Sequence, residues 1–317
     1  VNIYRADKRL IFLLLFAALV ACSPQNANQS NSAQSANETD IRPKELVAAM
    51  DAVKPFFEPM RPPGPNDWLA SFNEPGQTFQ EYLNSNPTLP TKERNTIYVL
   101  PLGSFTDDQN KVIDITSGYL EAFFGLSVKR LPVEKIKRPL RRNDSRMNTY
   151  FHHEQIRTGY IIDELLPPML PSDGAALIAF TNEDLYPDET MNYVFGQASM
   201  ENRVGAWSLY WLNSRGTDFD TFLRRTIKVA AHETGHMFSM HHCTKYNCVM
   251  SGSNQLDETD YQPIDACPEC MAKICWFTHV SPADRYHRLA EFCRQNGMNK
   301  EADEFEKKYS AVKDLNK

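Results

Sequence analysis

The chain is short of several things that would each point to a class of function. It has no excess of basic charge, since 34 Lys and Arg stand against 40 Asp and Glu for a net charge of −6. That balance argues against a nucleic-acid partner, whose phosphates call for a basic face. No run has the about 20 apolar residues that a transmembrane helix needs; the apolar stretch over 10–20 has only 11. No internal repeat divides the chain. Histidine is scarce, with 8 in 317 residues, so an ordered grouping of histidines stands out.

What is present begins with an address. Arg5, Lys8 and Arg9 precede the apolar stretch, and Ala21 and Cys22 follow it. A basic start, a short apolar core and a small residue at the cut read as a secretory signal. The order Leu19-Val20-Ala21-Cys22 is similar to the bacterial lipoprotein signal, in which cleavage leaves the cysteine as a lipidated first residue. The expectation is a signal peptide over 1–21, lipid on Cys22 and a membrane-anchored place in the bacterial cell envelope. No acidic residue follows Cys22, which resembles the signal for the outer membrane. An ordinary secretory signal is the alternative. Residues 23–40 are rich in Ser, Asn, Gln and Ala, too polar to repay the entropy of ordering, so a tether is expected over 22–41. Loss of the signal removes three basic residues and one acidic residue, taking the net charge from −6 to −8.

The chemistry is concentrated in His232-Glu233-Thr234-Gly235-His236, with His241 and His242 shortly after. On a helix, His232 and His236 lie one turn apart on one face, so both imidazoles reach one metal ion. Glu233 points about 100° away around the helix, where a general base for the attacking water belongs. The helix itself is amphipathic over 219–238. Phe219, Phe222, Leu223, Ile227, Ala230 and Met237 share an arc, with Arg224, Arg225 and Lys228 opposite. His242 lies beyond a further helical turn and reaches the same metal only if the chain doubles back. Three imidazoles and an open position are the arrangement of a catalytic zinc. His241 is the rival third ligand.

Cys243, Cys248, Cys267 and Cys270 follow, the last two as Cys267-Pro268-Glu269-Cys270. Two short-range pairs of thiolates suit a closed structural zinc site, although Cys-x-x-Cys alone also suits a redox disulfide. Four thiols held by zinc would be protected in the oxidising envelope. Cys275 and Cys293 are left over, either as a disulfide or as two buried thiols.

The whole succession resembles the archaemetzincins: H-E-x-x-H, a histidine six residues on, an adjacent cysteine, Cys248-Val249-Met250, and a final Cys-x-x-Cys. The resemblance implies a catalytic zinc on His232, His236 and His242, Glu233 as general base, and a second zinc on the four cysteines. It also implies that Met250 is the methionine of the turn beneath the catalytic zinc. One position departs from the pattern: metzincins usually have glycine three residues after the second histidine, and Ser239 stands there. A left-handed serine would cost about 1–2 kcal/mol. A gluzincin, with Glu258 or Glu269 as third ligand, is the less fitting alternative.

The expected fold class is α+β, zincin-like, with a mixed sheet and an active-site helix in one metallopeptidase domain over 42–317. Its N-terminal lobe would cover about 42–240, and a smaller C-terminal lobe with the four cysteines about 241–317. The proline-rich lead-in should lie on the core as a belt through Trp68, Phe72 and Phe79. Buried strands are expected at 96–102 and 175–180, a further strand at 126–133, and helices at 110–124 and 147–166. Strands at 193–199 and 204–211 should follow, the first being the edge that takes a peptide as one more strand. Residues 281–315 read as helical, with the charged run 300–308 as a solvated face. The function expected is zinc-dependent peptide hydrolysis on a peptide or protein substrate, possible forms being an aminopeptidase or an endopeptidase. The rival is a non-catalytic zinc-containing surface binding protein.

Overall fold

In the computed structural model, residues 43–214 and 216–315 are described. Cys22, the signal and the tether lie outside them. The described residues fall in the single unit Thr39–Lys317.

The described residues open with helix α1 (Pro43–Val53), followed by two short helices, α2 (Trp68–Ser71) and α3 (Phe79–Asn84). Strand β1 (Thr96–Leu102) leads into helix α4 (Asp107–Phe124) and strand β2 (Ser127–Arg130). Next come β3 (Ser145–Met147), β4 (Glu154–Arg157), β5 (Gly174–Thr181), β6 (Asp184–Tyr186), β7 (Gly196–Ser199) and β8 (Val204–Ser208). Helices α5 (Phe219–Met237), α6 (Leu256–Tyr261), α7 (Pro268–Thr278), α8 (Pro282–Gln295) and α9 (Asn299–Val312) complete it. None of the helices among the described residues is long and apolar enough to cross a membrane.

The main sheet has the order β2-β1-β5-β8-β7, parallel except for antiparallel β7 at one edge. Its central strands are continuous apolar runs because both faces are covered, as parallel sheets require. Successive residues of β1 divide between the faces. Ile97 and Val99 join the core made with the helices, while Tyr98, Leu100 and Leu102 join a second core with Ile156, Ile161 and Leu185. The architecture is thus a mixed α/β fold, with the His-bearing helix α5 packed on the sheet and a helical C-terminal part that holds the cysteines.

Three expectations need correction. Residues 147–166 do not form a helix; they give β3, β4 and a π-helical turn at Tyr160–Leu165, and β3-β4-β6 make a small second sheet. An Asn148 turn, whose Oδ1 accepts from the backbone of Tyr150 and Phe151 at 2.9 Å each, breaks the run. The strand expected at 193–199 starts only at Gly196, since Val194 bridges to Leu185 of the small sheet. The charged run of α9 is not wholly solvated: Lys308 is buried and its Nζ donates to Asp265 at 2.8 Å. Asp265 also accepts from Arg285 at 3.1 Å, so one buried carboxylate serves two buried cations.

Candidate metal centres

Helix α5 is started by Asp218, whose Oδ1 accepts from Thr221 N–H at 2.9 Å. Its end decides where the third histidine goes. Ser239 takes φ 63°, the left-handed value expected at this turn in spite of its side chain. Met240 N–H then donates back to Gly235 C=O at 3.1 Å, closing the helix in the manner of a left-handed cap. The reversed chain carries Met240 under His236, whose Nδ1 donates to Met240 C=O at 2.6 Å.

His232, His236 and His242 each offer one ring nitrogen, and these nitrogens lie within 4.8 Å of one another. The Nε2 atoms of His232 and His236 are 2.9 Å apart. Each Nδ1 is engaged elsewhere. His232 donates to Val249 C=O at 2.8 Å, and His242 to the carboxylate of Glu74 at 2.8 and 3.1 Å. With Nδ1 so occupied in all three rings, Nε2 is the nitrogen left to face the centre. Zinc–nitrogen bonds of about 2.0–2.1 Å place tetrahedral nitrogens about 3.3 Å apart, so the donor set fits the ion. His241 is exposed and does not join the cluster; its N–H donates to Gln77 Oε1 at 3.2 Å. The carboxylates of Glu258 and Glu269 are also spent elsewhere, on Trp68 N–H at 3.0 Å and Phe79 N–H at 2.8 Å.

Burial and the two neighbouring imidazoles hold His232 well below the usual imidazole range, and burial, then His242, lowers His236 to about 4. Both rings are therefore neutral near pH 7, with lone pairs free for a cation. Glu233 has no cationic partner among the described residues, and burial raises its carboxyl to about 7.

The cluster sits on the wall of a cleft of about 890 Å³, whose lining includes Glu233, Trp68, Glu74 and the β7 residues Gly196 to Ala198. At Gly196 on the cleft wall, a Cβ would crowd Ala206 C=O at 3.2 Å and the Trp207 ring at 3.3 Å, and would only touch Glu233 Cγ at 3.4 Å. Lys228, opposite the apolar arc of α5, lines this cleft. It is buried, and its Nζ donates to the C=O groups of Thr259 and Asp260 at 3.0 and 3.1 Å.

The four cysteine sulfurs also lie within 4.8 Å of one another, all buried. Cys243 Sγ and Cys267 Sγ are 3.6 Å apart, close to the about 3.8 Å that tetrahedral zinc–sulfur bonds of about 2.3 Å produce. Hydrogen bonds from the neighbouring thiols pull Cys243 well below the usual thiol value, while burial pushes Cys248 and Cys267 well above it. Four thiolates packed this closely and buried call for a cation among them. Cys275 and Cys293 are free buried thiols, and burial raises each to about 12.

The two clusters share a frame. Met250 is buried beneath α5, and Gly235 allows this, since a Cβ at that position would meet Met250 Sδ at 2.6 Å. Cys243 N–H donates to Met250 C=O at 2.8 Å, and Val249, between Cys248 and Met250, supplies the carbonyl that holds His232. Glu74 was not among the residues singled out by sequence. It lies 168 residues from His242, where no spacing rule connects them. Trp68 belongs to the expected belt, and its ring also stands edge-on to His242 at 5.1 Å.

Comparison with known proteins agrees with this geometry. The family model described as Peptidase family M54 matches residues 111–275. Human archaemetzincin-2 is 30% identical over 279 residues, covering 77% of this chain and 76% of the relative. The archaemetzincin of Archaeoglobus fulgidus is 28% identical over 178 residues, covering 56% of this chain and 98% of its own. Among solved structures, the archaemetzincin of Methanopyrus kandleri is 25% identical with a TM-score of 0.47, covering 58% of this chain and 96% of that one. With three imidazoles and a glutamate on one cleft and a family match over half its length, the chain belongs to the archaemetzincins, peptidase family M54, and is a zinc-dependent peptidase.

Proposed function

We propose that His232, His236 and His242 hold the catalytic zinc, that Glu233 is the general base, and that Cys243, Cys248, Cys267 and Cys270 hold a second, structural zinc. The observation that carries this reading is the convergence of three Nε2 atoms, each ring braced through Nδ1, on a cleft shared with Glu233. Zinc bound there would supply a Lewis acid that polarises the peptide carbonyl and acidifies water. The chain's own residues do the rest. Glu233, with its carboxyl raised to about 7, takes the proton of the attacking water near neutral pH and returns it to the leaving amine. Edge strand β7, whose outer side pairs with no other strand among the described residues, offers backbone N–H and C=O groups to an extended peptide.

The test is turnover of a peptide library by wild type and Glu233→Ala, alongside zinc content. Two zinc ions per chain in both proteins, with turnover lost only in the variant, is the expected outcome. Equal turnover in both sinks the catalytic assignment and leaves a zinc-containing binding protein. An aminopeptidase-like activity would cleave free but not N-acetylated peptides.

We propose in addition that Cys22 carries a lipid anchor in a bacterial envelope. The support is the basic start, the apolar stretch over 10–20 and the order Leu19-Val20-Ala21-Cys22. Release from membranes by Cys22→Ser is expected; retention overturns it.

A further inference from the structure

The third histidine is the least locally supported member of the cluster. His232 and His236 stand on a rigid helix, and carbonyls from the chain just beyond it, at Val249 and Met240, fix their rings. His242 stands past the left-handed turn at Ser239, and the only Nδ1 partner found for it among the described residues is the carboxylate of Glu74.

Glu74 is delivered by a strap, residues 58–88, that grips the segment from Phe238 to Asn247 along its length. Tyr82 Oη–H donates to Phe238 C=O at 2.8 Å. Ser239 Oγ accepts from Thr88 N–H at 2.9 Å, and Gln77 Nε2 donates to Ser239 C=O at 3.3 Å. Met60 N–H donates to Lys245 C=O, and Asn247 N–H to Glu58 C=O, each at 3.0 Å. The strap is anchored in turn by Lys273, which is buried and donates to Gln77 Oε1 at 3.0 Å. The matched family region, 111–275, contains all three histidines and none of the strap.

We infer that Glu74 is a positioning residue of the metal site: its carboxylate locks His242 as the Nδ1–H tautomer with Nε2 aimed at the metal, and the strap is thereby part of the site. This rests on the reading of His232, His236 and His242 as zinc ligands. A carboxylate accepting from a ligating imidazole makes a short charge-assisted bond and raises the basicity of the ligating nitrogen. It also explains why a serine at 239 suffices. The side chain that strains the turn is the one that ties it to the strap at Thr88.

The test uses the full chain loaded with zinc and titrated with a chelator, the His-site ion being the one that His232→Ala loses. Glu74→Ala should weaken that site by about 10–100-fold, leave the Cys-site zinc unchanged, and leave the thermal midpoint of the one-zinc form near that of wild type. Glu74→Gln keeps an acceptor without the charge, and its loss should fall between the two; it carries the test if the alanine variant folds poorly. Wild-type affinity in both variants overturns the inference. So does a loss matched by a lower one-zinc midpoint or a looser Cys-site zinc, which would make the strap mere packing. Retention of both zinc ions by His232→Ala is a separate result: it removes the reading of the histidine cluster itself.

Discussion

The histidine and cysteine clusters lie side by side, yet they differ in exposure and in how their ligands are gathered. The imidazoles are half-buried on the wall of a large cleft, with a carboxylate beside them. The thiols are buried and come from two stretches of chain, one of which opens α7. A closed tetrahedral site leaves no position for substrate, whereas three ligands leave one. With zinc held as proposed, the neighbouring clusters would divide the labour: the thiols would hold the turn that carries Val249 and Met250, and that turn supports His232 and the floor of α5.

Cys248→Ser should break this division most severely. Structural zinc sites contribute on the order of 10 kcal/mol to folding, so calorimetry should show a greatly lowered or lost cooperative transition, with activity lost as well. If the midpoint barely moves, the cysteine cluster is not the stabilising partner. Glu233→Gln addresses the other cluster. Turnover should fall by about 10²–10⁴ while zinc content and midpoint stay near wild type, and a large drop in midpoint would blur the contrast.

Asp265→Ala probes the frame next to the thiols. It strands the buried cations of Arg285 and Lys308, which should cost about 3–5 kcal/mol in chemical denaturation. A loss below about 1 kcal/mol, the range of exposed pairs, would show the network to be solvated.

In protein freed of zinc, the histidines and Glu233 should pull stability in opposite directions with pH. His236 is lowered in the fold to about 4, so its contribution grows as pH rises from about 4 to the ordinary value of 6.5. Glu233 is raised from 4.5 to about 7, so the fold binds its proton more tightly and stability is lost as pH rises through that window. Glu233→Gln should therefore make zinc-free stability rise more steeply between about pH 4.5 and 6.5, as read by denaturant midpoints; unchanged slopes would count against the raised carboxyl.

The smallest effect is expected at the turn. Ser239→Ala keeps the left-handed strain and loses the bond to Thr88, at about 1 kcal/mol. Ser239→Gly loses the same bond but relieves strain of about 1–2 kcal/mol, so it should be near neutral or slightly stabilising. The reverse order would mean that the turn stores no such strain, and Ser239→Ala at wild-type stability would mean that Oγ contributes nothing.

Much of this was legible in residue order where the physics is local. Strand β1 matches its apolar, proline-punctuated run at 96–102, and α5 matches its amphipathic period, because side-chain periodicity reports the burial of one face. Elsewhere the same signal misled. The stretch over 147–166 reads as a helix, but β4 pairs with β6 as well as with β3, and local spacing does not report the pairing with β6. Lys308 reads as solvated because charge usually is; it is buried because the carboxylate of Asp265 arrives from elsewhere, as the carbonyls of α6 do for the buried Lys228.

The donors themselves were decided by residue order alone: two imidazoles four apart on a helix, a glutamate beside the first, and thiols in short-range pairs. These follow from helix geometry and ligand chemistry, which need no distant partner. Tertiary structure alone decided that His242 and not His241 completes the cluster, and that Glu74 holds it. Both depend on a chain reversal at Ser239 and on a strap that returns from 168 residues away. A contact made by the path of the backbone leaves no period or spacing behind it.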